Sequence, residues 1–196
     1  EYAYVEIVNK YDEHILYIAQ NKLDVKFIGN RLIQSCKDED LEKILKAIMN
    51  KLIPIWKWNA QNEDIIVGLD SQISNWYFEP GKDGELVSVY FDYTTPFIRK
   101  NGKELLDPEI FLKSCPSFLV WLVRWLFLQD ILDRYYNFRL VLIDITANFY
   151  KEGQAAKIPF VIETINKCAA QNVSDLKIQP IVQKEVDKYY KEDVFI

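Results

Sequence analysis

The stretch "IIVGLDSQISNWYF", residues 65–78, decides how the fold is interpreted, because polar residues end two of its short apolar runs. Asp70 follows the first run, and Asn75 lies five positions further along the chain. A second aspartate, Asp92, ends the later apolar run "LVSVYF" of residues 86–91. Two interpretations are open: the three side chains form a site, or Asp70 and Asn75 are turn and cap residues of a small sheet.

Length and composition limit the classes of protein to consider. The chain has 196 residues, of which 49% are hydrophobic, and this fits one domain or lobe with a real core. Only 6 glycines are present, which disfavours an all-β fold rich in tight turns. The net charge of −5 argues against nucleic-acid binding, which depends on lysines and arginines that neutralise phosphates.

Cysteine and histidine are too sparse for a zinc centre. Cys36, Cys115 and Cys168 are far apart, and His14 is the only histidine. An odd, sparse cysteine count without an N-terminal signal pattern predicts a cytoplasmic protein. We expect His14 to be a surface residue of a helix rather than a catalytic base.

One apolar segment requires a membrane test, "FLVWLVRWLFL" at residues 118–128. It has 11 residues with Arg124 inside, whereas a spanning helix needs about 20 apolar residues. We therefore predict no membrane partner and a buried helix, in which Arg124 pairs with Asp144 or Asp133. Contact of this Trp-rich segment with another protein is the alternative.

The periodicity of apolar residues predicts a mostly helical α+β lobe. Residues 1–62 are predicted to be helical, with one helix over 3–20, an ambiguous short one after it, and a long one over 38–53 that Pro54 ends or kinks. Residues 63–96 form a small β unit, in which "ISNWYF" and "LVSVYF" pair as a hairpin. Residues 97–196 are a helical subdomain. It begins with a loop that opens a helix near Asp107 and Pro108, and its further helices are predicted at 117–137, 138–152, 157–171 and 179–192.

If these strands pair, the side chains of Asp70, Asn75 and Asp92 converge at one edge of the β unit. Two carboxylates and an amide oxygen are hard ligands that suit Mg²⁺, with phosphate oxygens and waters completing its shell. Trp76, directly after Asn75, is either a core residue or a residue that stacks on a bound cofactor.

This pattern resembles the C-terminal lobe of protein-kinase-like phosphotransferases, in particular the aminoglycoside and choline kinases. The resemblance covers roughly residues 38–150. It implies that Asp70 is the catalytic aspartate that orients the substrate hydroxyl, and that Asn75 and Asp92 bind the metal. It also implies Mg²⁺ and ATP as cofactors and a small hydroxylated molecule as substrate.

The chain departs from that pattern at several points. Those kinases usually have a histidine where this chain has Gly68. They also have a glycine-containing sequence or a tryptophan after the metal-binding aspartate, whereas Tyr93 follows Asp92 here. No glycine-rich strand pair or strand lysine precedes residue 38, so the N-terminal lobe is expected to lie outside this sequence. The block "LDPEIFLKSCPSFLVWLVRWLF" also resembles an uncharacterised bacterial family.

Three functional hypotheses follow. The chain is part of an ATP- and Mg²⁺-dependent phosphotransferase, or it is an inactive kinase-like module that binds or scaffolds. The third hypothesis is a helical protein-interaction domain that uses residues 117–128. The sequence contains no pattern that indicates an oligomeric state.

Overall fold

The computed structural model of the protein describes residues 2–82, 84–92, 97–107, 120, 128–173, 176 and 178–194. Within these residues the fold is α+β, with helices dominant and small antiparallel sheets. The predicted fold class is confirmed at this level. No helix in the described ranges is long and apolar enough to cross a membrane.

The N-terminal segment is a β-hairpin, and the prediction of a helix over residues 3–20 was wrong. Strand β1, Tyr2–Val8, pairs antiparallel with β2, His14–Gln20. In the turn, the side-chain oxygen of Asn9 accepts hydrogen bonds from two backbone N–H groups at 2.9 and 3.1 Å. Val, Ile and Tyr make up five of the seven residues of β1 and three of the seven of β2, and their preference for extended backbone outweighs the loose helical spacing.

Two short helical turns and one long helix follow the hairpin. Residues Val25–Phe27 form a 3-10 turn and Gly29–Leu32 form the short helix α1, which agrees with the ambiguous short helix expected there. The long helix α2, Asp38–Gln61, starts with three acidic residues that interact favourably with the positive end of its dipole. Its buried stripe is Leu41, Ile44, Leu45, Ala47, Ile48, Met49, Leu52, Ile53 and Trp56.

Pro54 lies inside α2 instead of ending it. Proline removes the hydrogen bond to the carbonyl four residues earlier, at Asn50. Both Pro54 and Asn50 are on the exposed side of the helix, where water can hydrate the carbonyl. Burial of Trp56, two residues after Pro54, favours continuation of the helix to Gln61.

The β unit contains two separate sheets. The predicted segments contain strand β3, Ile65–Val67, and a hairpin of two strands, β4, Trp76–Pro80, and β5, Leu86–Tyr90. The predicted β4–β5 hairpin is confirmed, with Trp76 opposite Tyr90 and Pro80 opposite Leu86. However, β3 does not join it, because β3 pairs antiparallel with a strand that follows β5 in the chain.

That partner lies in a segment predicted to be a loop of the helical subdomain. Strand β6, Ile98–Lys100, and strand β7, Lys103–Glu104, form a hairpin over "RKNGKE". Asn101 and Gly102 both have positive φ, at 50° and 74°, and Asn-Gly favours such a turn. The β unit therefore extends to Glu104, and the predicted boundary at residue 97 was wrong. The helix start predicted near Pro108 lies outside the described residues.

The remaining described elements are helices close to the predicted positions. They are α3, Leu128–Tyr136; α4, Phe138–Lys151; α5, Ile158–Asn172; and α6, Gln183–Val194. The side-chain oxygen of Asn137 accepts from Leu140 N at 3.2 Å and caps α4. Residues 117–119 and 121–127 of the predicted helix 117–137 are outside the described part of the chain.

The core lies between α2, α4, α5 and the β4–β5 hairpin. Helix α4 is buried on most of its circumference, since every residue from Val141 to Phe149 is buried. An almost fully buried helix must satisfy its polar side chains inside the protein. Ser71 and Ile73, in the segment between β3 and β4, hydrogen-bond to this helix.

Candidate functional site

The segment between β3 and β4, residues 68–75, is called the site loop. Its start is fixed by backbone hydrogen bonds, from Gly68 N to Phe97 O and from Leu69 N to Tyr135 O, both at 2.9 Å. Just before it, the Asn59 side chain of α2 bonds both the N–H and the carbonyl of Val67, at 2.9 and 2.7 Å. The loop therefore leaves β3 in one fixed direction.

Helix α4 holds the middle of the site loop. Ser71 Oγ donates to Val141 O at 3.1 Å, and Ile73 N donates to Asn148 Oδ1 at 3.3 Å. Ser71 and Asn148 are 0% and 2% exposed, so these contacts satisfy polar groups that water does not reach. This environment positions Asp70 next to α4.

Hydrogen bonds connect two of the predicted residues and the residue before the third. The Asn75 Nδ2 atom donates to the backbone carbonyl of Asp70 at 3.2 Å. The backbone carbonyl of Asn75 accepts from Phe91 N at 3.1 Å, and Phe91 precedes Asp92. Asp70, Asn75 and Asp92 thus lie at one place in the fold, although the sheet containing β3 is not the sheet containing β4 and β5.

The carboxyl of Asp70 is also part of a local turn. Its Oδ1 atom accepts from Gln72 N at 3.2 Å, a contact typical of an Asx turn. Burial raises the pKa of Asp70, and the charge of Asp92 raises it further. The Gln72 hydrogen bond, Lys151 and Asn75 oppose that rise. Burial likewise raises the pKa of Tyr90, with the charges of Asp70 and Asp92 adding to it.

Asp144 of α4 is a further carboxyl of this region, considered from sequence only as a partner for Arg124. It is 7% exposed, and burial raises its pKa to about 7, with the charge of Asp70 as the second cause. Lys151 and a hydrogen bond from Tyr189 oppose the shift. The signal in the sequence was an aspartate within the apolar run "LVLIDITANF". Arg124 lies outside the described residues.

Lys151 places a positive charge near this acidic region. Its Nζ atom pairs with Asp193 Oδ2 of helix α6 at 2.5 Å, and its charge also acts on Asp70 and Asp144. Helix α6 is further tied to α4 by the hydrogen bond from the Tyr150 hydroxyl to Asp187 at 2.6 Å. Among the described residues, Lys151 is the cation that acts on both Asp70 and Asp144.

The donor set fits a magnesium ion of the kind that binds with phosphates. The hydrogen bond of Asn75 to a carbonyl uses its amide nitrogen, so the amide oxygen is the atom suited to a metal. With Asp92 this would supply one amide and one carboxylate oxygen, and Mg²⁺ typically takes one or two carboxylates together with waters and phosphate oxygens. Among the described residues, no group of three or more His, Cys, Asp or Glu side chains is placed to hold a metal alone.

The structure places the other candidates away from ligand contact or outside the described residues. Trp76 is 1% exposed; its Nε1 atom donates to Ser71 O at 3.3 Å, and Tyr90 packs edge-on against its ring. This burial gives Trp76 a core position with no ring face for a cofactor. His14 is an exposed strand residue that pairs with Glu6 at 2.7 Å, rather than a helix residue. Cys115 and the Trp-rich residues 121–127 are outside the described chain, as is Tyr93.

Comparison with known proteins identifies a family. A family model described as a family of unknown function (DUF6206) matches residues 3–195. No curated protein and no solved structure matches the chain. The matched range includes the N-terminal hairpin, the site loop and helix α6. The expectation of an uncharacterised family is therefore confirmed, and the chain belongs to the DUF6206 family.

Proposed function

We propose that this chain is the kinase-like lobe of an ATP- and Mg²⁺-dependent phosphotransferase that acts on a small hydroxylated molecule. The observation that carries this proposal is the hydrogen-bonded connection of Asp70, Asn75 and Phe91, which brings Asp92 beside the site loop. Aspartate and asparagine five positions apart, followed by a hairpin and a second aspartate, form the pattern of the kinase-like phosphotransferases.

The order of elements supports the same proposal. The long helix α2 precedes β3, the site loop, the β4–β5 hairpin and Asp92, and helices follow. This is the order that the sequence resemblance implies for the C-terminal lobe. The match is one of order and of three polar positions.

Each of the three residues has a role in this proposal. Asp70 would accept or orient the proton of the substrate hydroxyl, and a carboxyl with a raised pKa is a better base for that purpose than a free one. Asn75 and Asp92 would hold Mg²⁺ through an amide oxygen and a carboxylate. When bound, that ion neutralises charge on the phosphates during transfer. The fixed backbone of the site loop keeps Asp70 in place without movement of the loop.

The N-terminal hairpin suggests where the second lobe would attach. One of its faces carries Val5, Ile7 and Tyr17, which are 59%, 43% and 58% exposed. The other carries Tyr4, Leu16 and Ile18, which are 68%, 58% and 61% exposed. A two-stranded sheet is marginally stable in water by itself. We therefore expect further β-structure in the intact protein to cover this hairpin, as a nucleotide-binding N-terminal lobe would.

The test is nucleotide binding and turnover by the intact protein. We expect ATP together with Mg²⁺ to raise the melting temperature by several degrees at about 100 times Kd, where binding contributes about 2.7 kcal/mol. We expect ADP to form in the presence of an acceptor alcohol, with choline and an aminoglycoside as first probes. Asp92→Ala should abolish the Mg²⁺-dependent rise. Asp70→Asn should keep the rise and lose ADP formation.

An inactive kinase-like binding or scaffold module is the second candidate, and Gly68 favours it. A Cβ at this position would lie 3.0 Å from Phe97 Cβ, Tyr135 O and Tyr136 Cδ1. The histidine usual at this position in the kinases that the sequence resembles would therefore crowd all three neighbours. This candidate predicts an ATP-induced rise in melting temperature with no ADP formation. If the intact protein shows neither an ATP-induced rise in melting temperature nor ADP formation, both candidates are contradicted.

A further inference from the structure

The tip of the β6–β7 hairpin consists of an asparagine followed by a glycine, Asn101 and Gly102. No other asparagine of the sequence is followed by glycine, and the residue after each of them has a side chain. Glycine has no Cβ to shield its own backbone nitrogen from the side chain that precedes it. Asn101 is therefore the asparagine whose side chain reacts most easily with the backbone.

Neither of the two reacting groups is engaged elsewhere. Asn101 and Gly102 are both exposed, and a Cβ at Gly102 would meet no atom within 4 Å. The Asn101 N–H donates to Asp64 O at 2.6 Å. No described residue, however, accepts from the Gly102 N–H or hydrogen-bonds to the side-chain amide of Asn101. Water therefore reaches both the amide and the glycine nitrogen.

The hairpin that holds this turn is short and contains a repulsive pair. Arg99 lies opposite Glu104, and Lys100 lies opposite Lys103. Like charges that face each other across two strands repel, and no described residue forms an ion pair with either lysine. The contact that opposes opening is the one between Arg99 Nε and Glu104 Oε1 at 2.6 Å. We expect such a short pairing to open locally while the rest of the protein stays folded.

We propose that Asn101 is a site of spontaneous covalent modification, at which its side chain reacts with Gly102 when the β6–β7 hairpin opens. The Gly102 nitrogen loses its proton to water and forms a bond to Asn101 Cγ. The bond from Cγ to Nδ2 breaks, and Nδ2 leaves as ammonia. Water then opens the cyclic imide at one of its two carbonyl carbons, which gives aspartate or isoaspartate. The reaction consumes water alone, and nothing is oxidised or reduced.

Opening is required because the folded turn fixes the backbone. Asn101 and Gly102 are held at positive φ, at 50° and 74°, and ring closure needs rotation about the bonds next to the Asn101 carbonyl. In the open hairpin these bonds rotate freely. The rate of modification should therefore follow the population of the open hairpin, as proteolysis of an opened segment does.

The two products should affect the hairpin differently. Aspartate at position 101 keeps an Asp-Gly pair, which suits the same type of turn, and places a negative charge beside Lys100. Isoaspartate adds a carbon atom to the backbone, so the two strands no longer pair in register. Strand β6 also pairs with β3, and the Gly68 N–H that follows β3 donates to Phe97 O. Isoaspartate should therefore loosen the sheet that leads into the site loop.

The test is incubation of the intact protein for several days at mildly alkaline pH, followed by proteolysis and mass spectrometry. We expect the peptide with position 101 to exchange NH₂ for OH faster than the peptides with the exposed residues Asn21 and Asn50, at a rate that rises with pH. Asn101→Gly keeps a Gly-Gly turn and should show no exchange at this position. The proposal is overturned if the Asn101 amide persists, or is lost no faster than those of Asn21 and Asn50.

A second variant tests the opening of the hairpin. Glu104→Ala removes the contact with Arg99 and should increase the rate of modification about fivefold or more. Glu85→Ala, at an exposed position between β4 and β5, is the control and should leave the rate unchanged. Hydrogen exchange at residues 98–104 should become faster in incubated wild type and not in incubated Asn101→Gly. Equal rates of modification in Glu104→Ala and wild type would overturn the proposed route.

Discussion

The side-chain amide of Asn75 donates to the backbone carbonyl of Asp70 at 3.2 Å, across the turn that the site loop makes. The same residue accepts from Phe91 N through its own carbonyl at 3.1 Å. Asn75 therefore joins the loop after β3 to the end of β5. Its replacement should affect both the geometry of Asp70 and the approach of Asp92.

Replacement of Asn75 by alanine removes a structural hydrogen bond and a proposed metal ligand together. We expect a loss of about 1 kcal/mol in the free energy of unfolding, measured by urea denaturation. We also expect loss of the Mg²⁺-dependent part of nucleotide binding. Asn172→Ala is the matched control, since Asn172 Nδ2 bonds the carbonyl of Cys168 at 2.9 Å, at the end of α5. Equal nucleotide binding by the two variants would contradict a ligand role for Asn75.

Asp144 predicts a pH dependence of stability. Burial raises the pKa of its carboxyl to about 7 in the folded protein, from an ordinary value of 3.8. The folded state thus binds more protons than the unfolded state between these values, and stability falls as pH rises from about 4 to 7. Asp144→Asn does not titrate. We therefore expect Asp144→Asn to become more stable relative to wild type as the pH rises from 4 to 8. The relative gain in the free energy of unfolding should reach up to about 4 kcal/mol, at about 1.4 kcal/mol per pH unit.

The groups that act on Asp144 are Asp70, Lys151, Tyr189 and Asp193. Asp187→Asn is a control of opposite sign, because the Tyr150 hydroxyl and Gln183 lower the pKa of Asp187. The stability contributed by Asp187 is present above its unfolded pKa and is lost as pH falls through the folded one. A parallel pH dependence for wild type and Asp144→Asn would contradict a buried, protonated Asp144.

Asn59 is predicted to fix the entry to the site loop through the backbone of Val67. Asn59→Ala removes both hydrogen bonds, at 2.7 and 2.9 Å, and should reduce the free energy of unfolding by about 1–3 kcal/mol. Asn62→Ala is the control, because Asn62 Nδ2 bonds only the exposed end of its own helix, at Trp58 O. Equal midpoints of urea denaturation for the two variants would show that the Asn59 contacts are weak.

Gly29 should tolerate no side chain. A Cβ there would lie 2.2 Å from the carbonyl oxygen of Ile73 in the site loop. Alanine normally favours a helix by up to about 1 kcal/mol over glycine, but this backbone clash should reverse the sign and cost about 2–3 kcal/mol. Gly153→Ala, at φ +71° with open space, should cost about 1 kcal/mol. Thermal unfolding with a smaller loss for Gly29→Ala than for Gly153→Ala would contradict the packing of α1 on the loop.

The sequence predicts correctly those elements that are determined by residues close together in the chain. The acidic start of α2, the apolar stripe on one face of that helix and the turn residues between β4 and β5 are such features. The approach of Asp92 to the site loop followed from that hairpin. The Asn-Gly pair at 101–102 is an equally local signal, and it favours the β6–β7 turn in the segment that is predicted above to be a loop.

The apolar positions of residues 3–20 fit a helix loosely, but the preference of these residues for extended backbone makes them a hairpin in which Val8 pairs with His14. Other features depend on contacts between residues far apart in the chain, which the spacing of apolar residues does not encode. Helix α4 hydrogen-bonds to Ser71 and to Ile73. These two bonds join residues that are separated by 70 and by 75 positions in the chain. The burial of Trp76 likewise follows from packing against Tyr90, not from its position after Asn75.

The most direct test of the central claim is whether a metal–nucleotide complex binds beside Asn75. Mn²⁺ replaces Mg²⁺ in oxygen sites and broadens nearby NMR signals. In the intact protein, we predict that Mn²⁺ with ATP broadens the side-chain amide signal of Asn75, that the effect needs both components, and that Asp92→Ala removes it. An Asn75 signal that stays sharp, or that broadens equally in Asp92→Ala, would contradict a phosphate-transfer site at Asp70, Asn75 and Asp92.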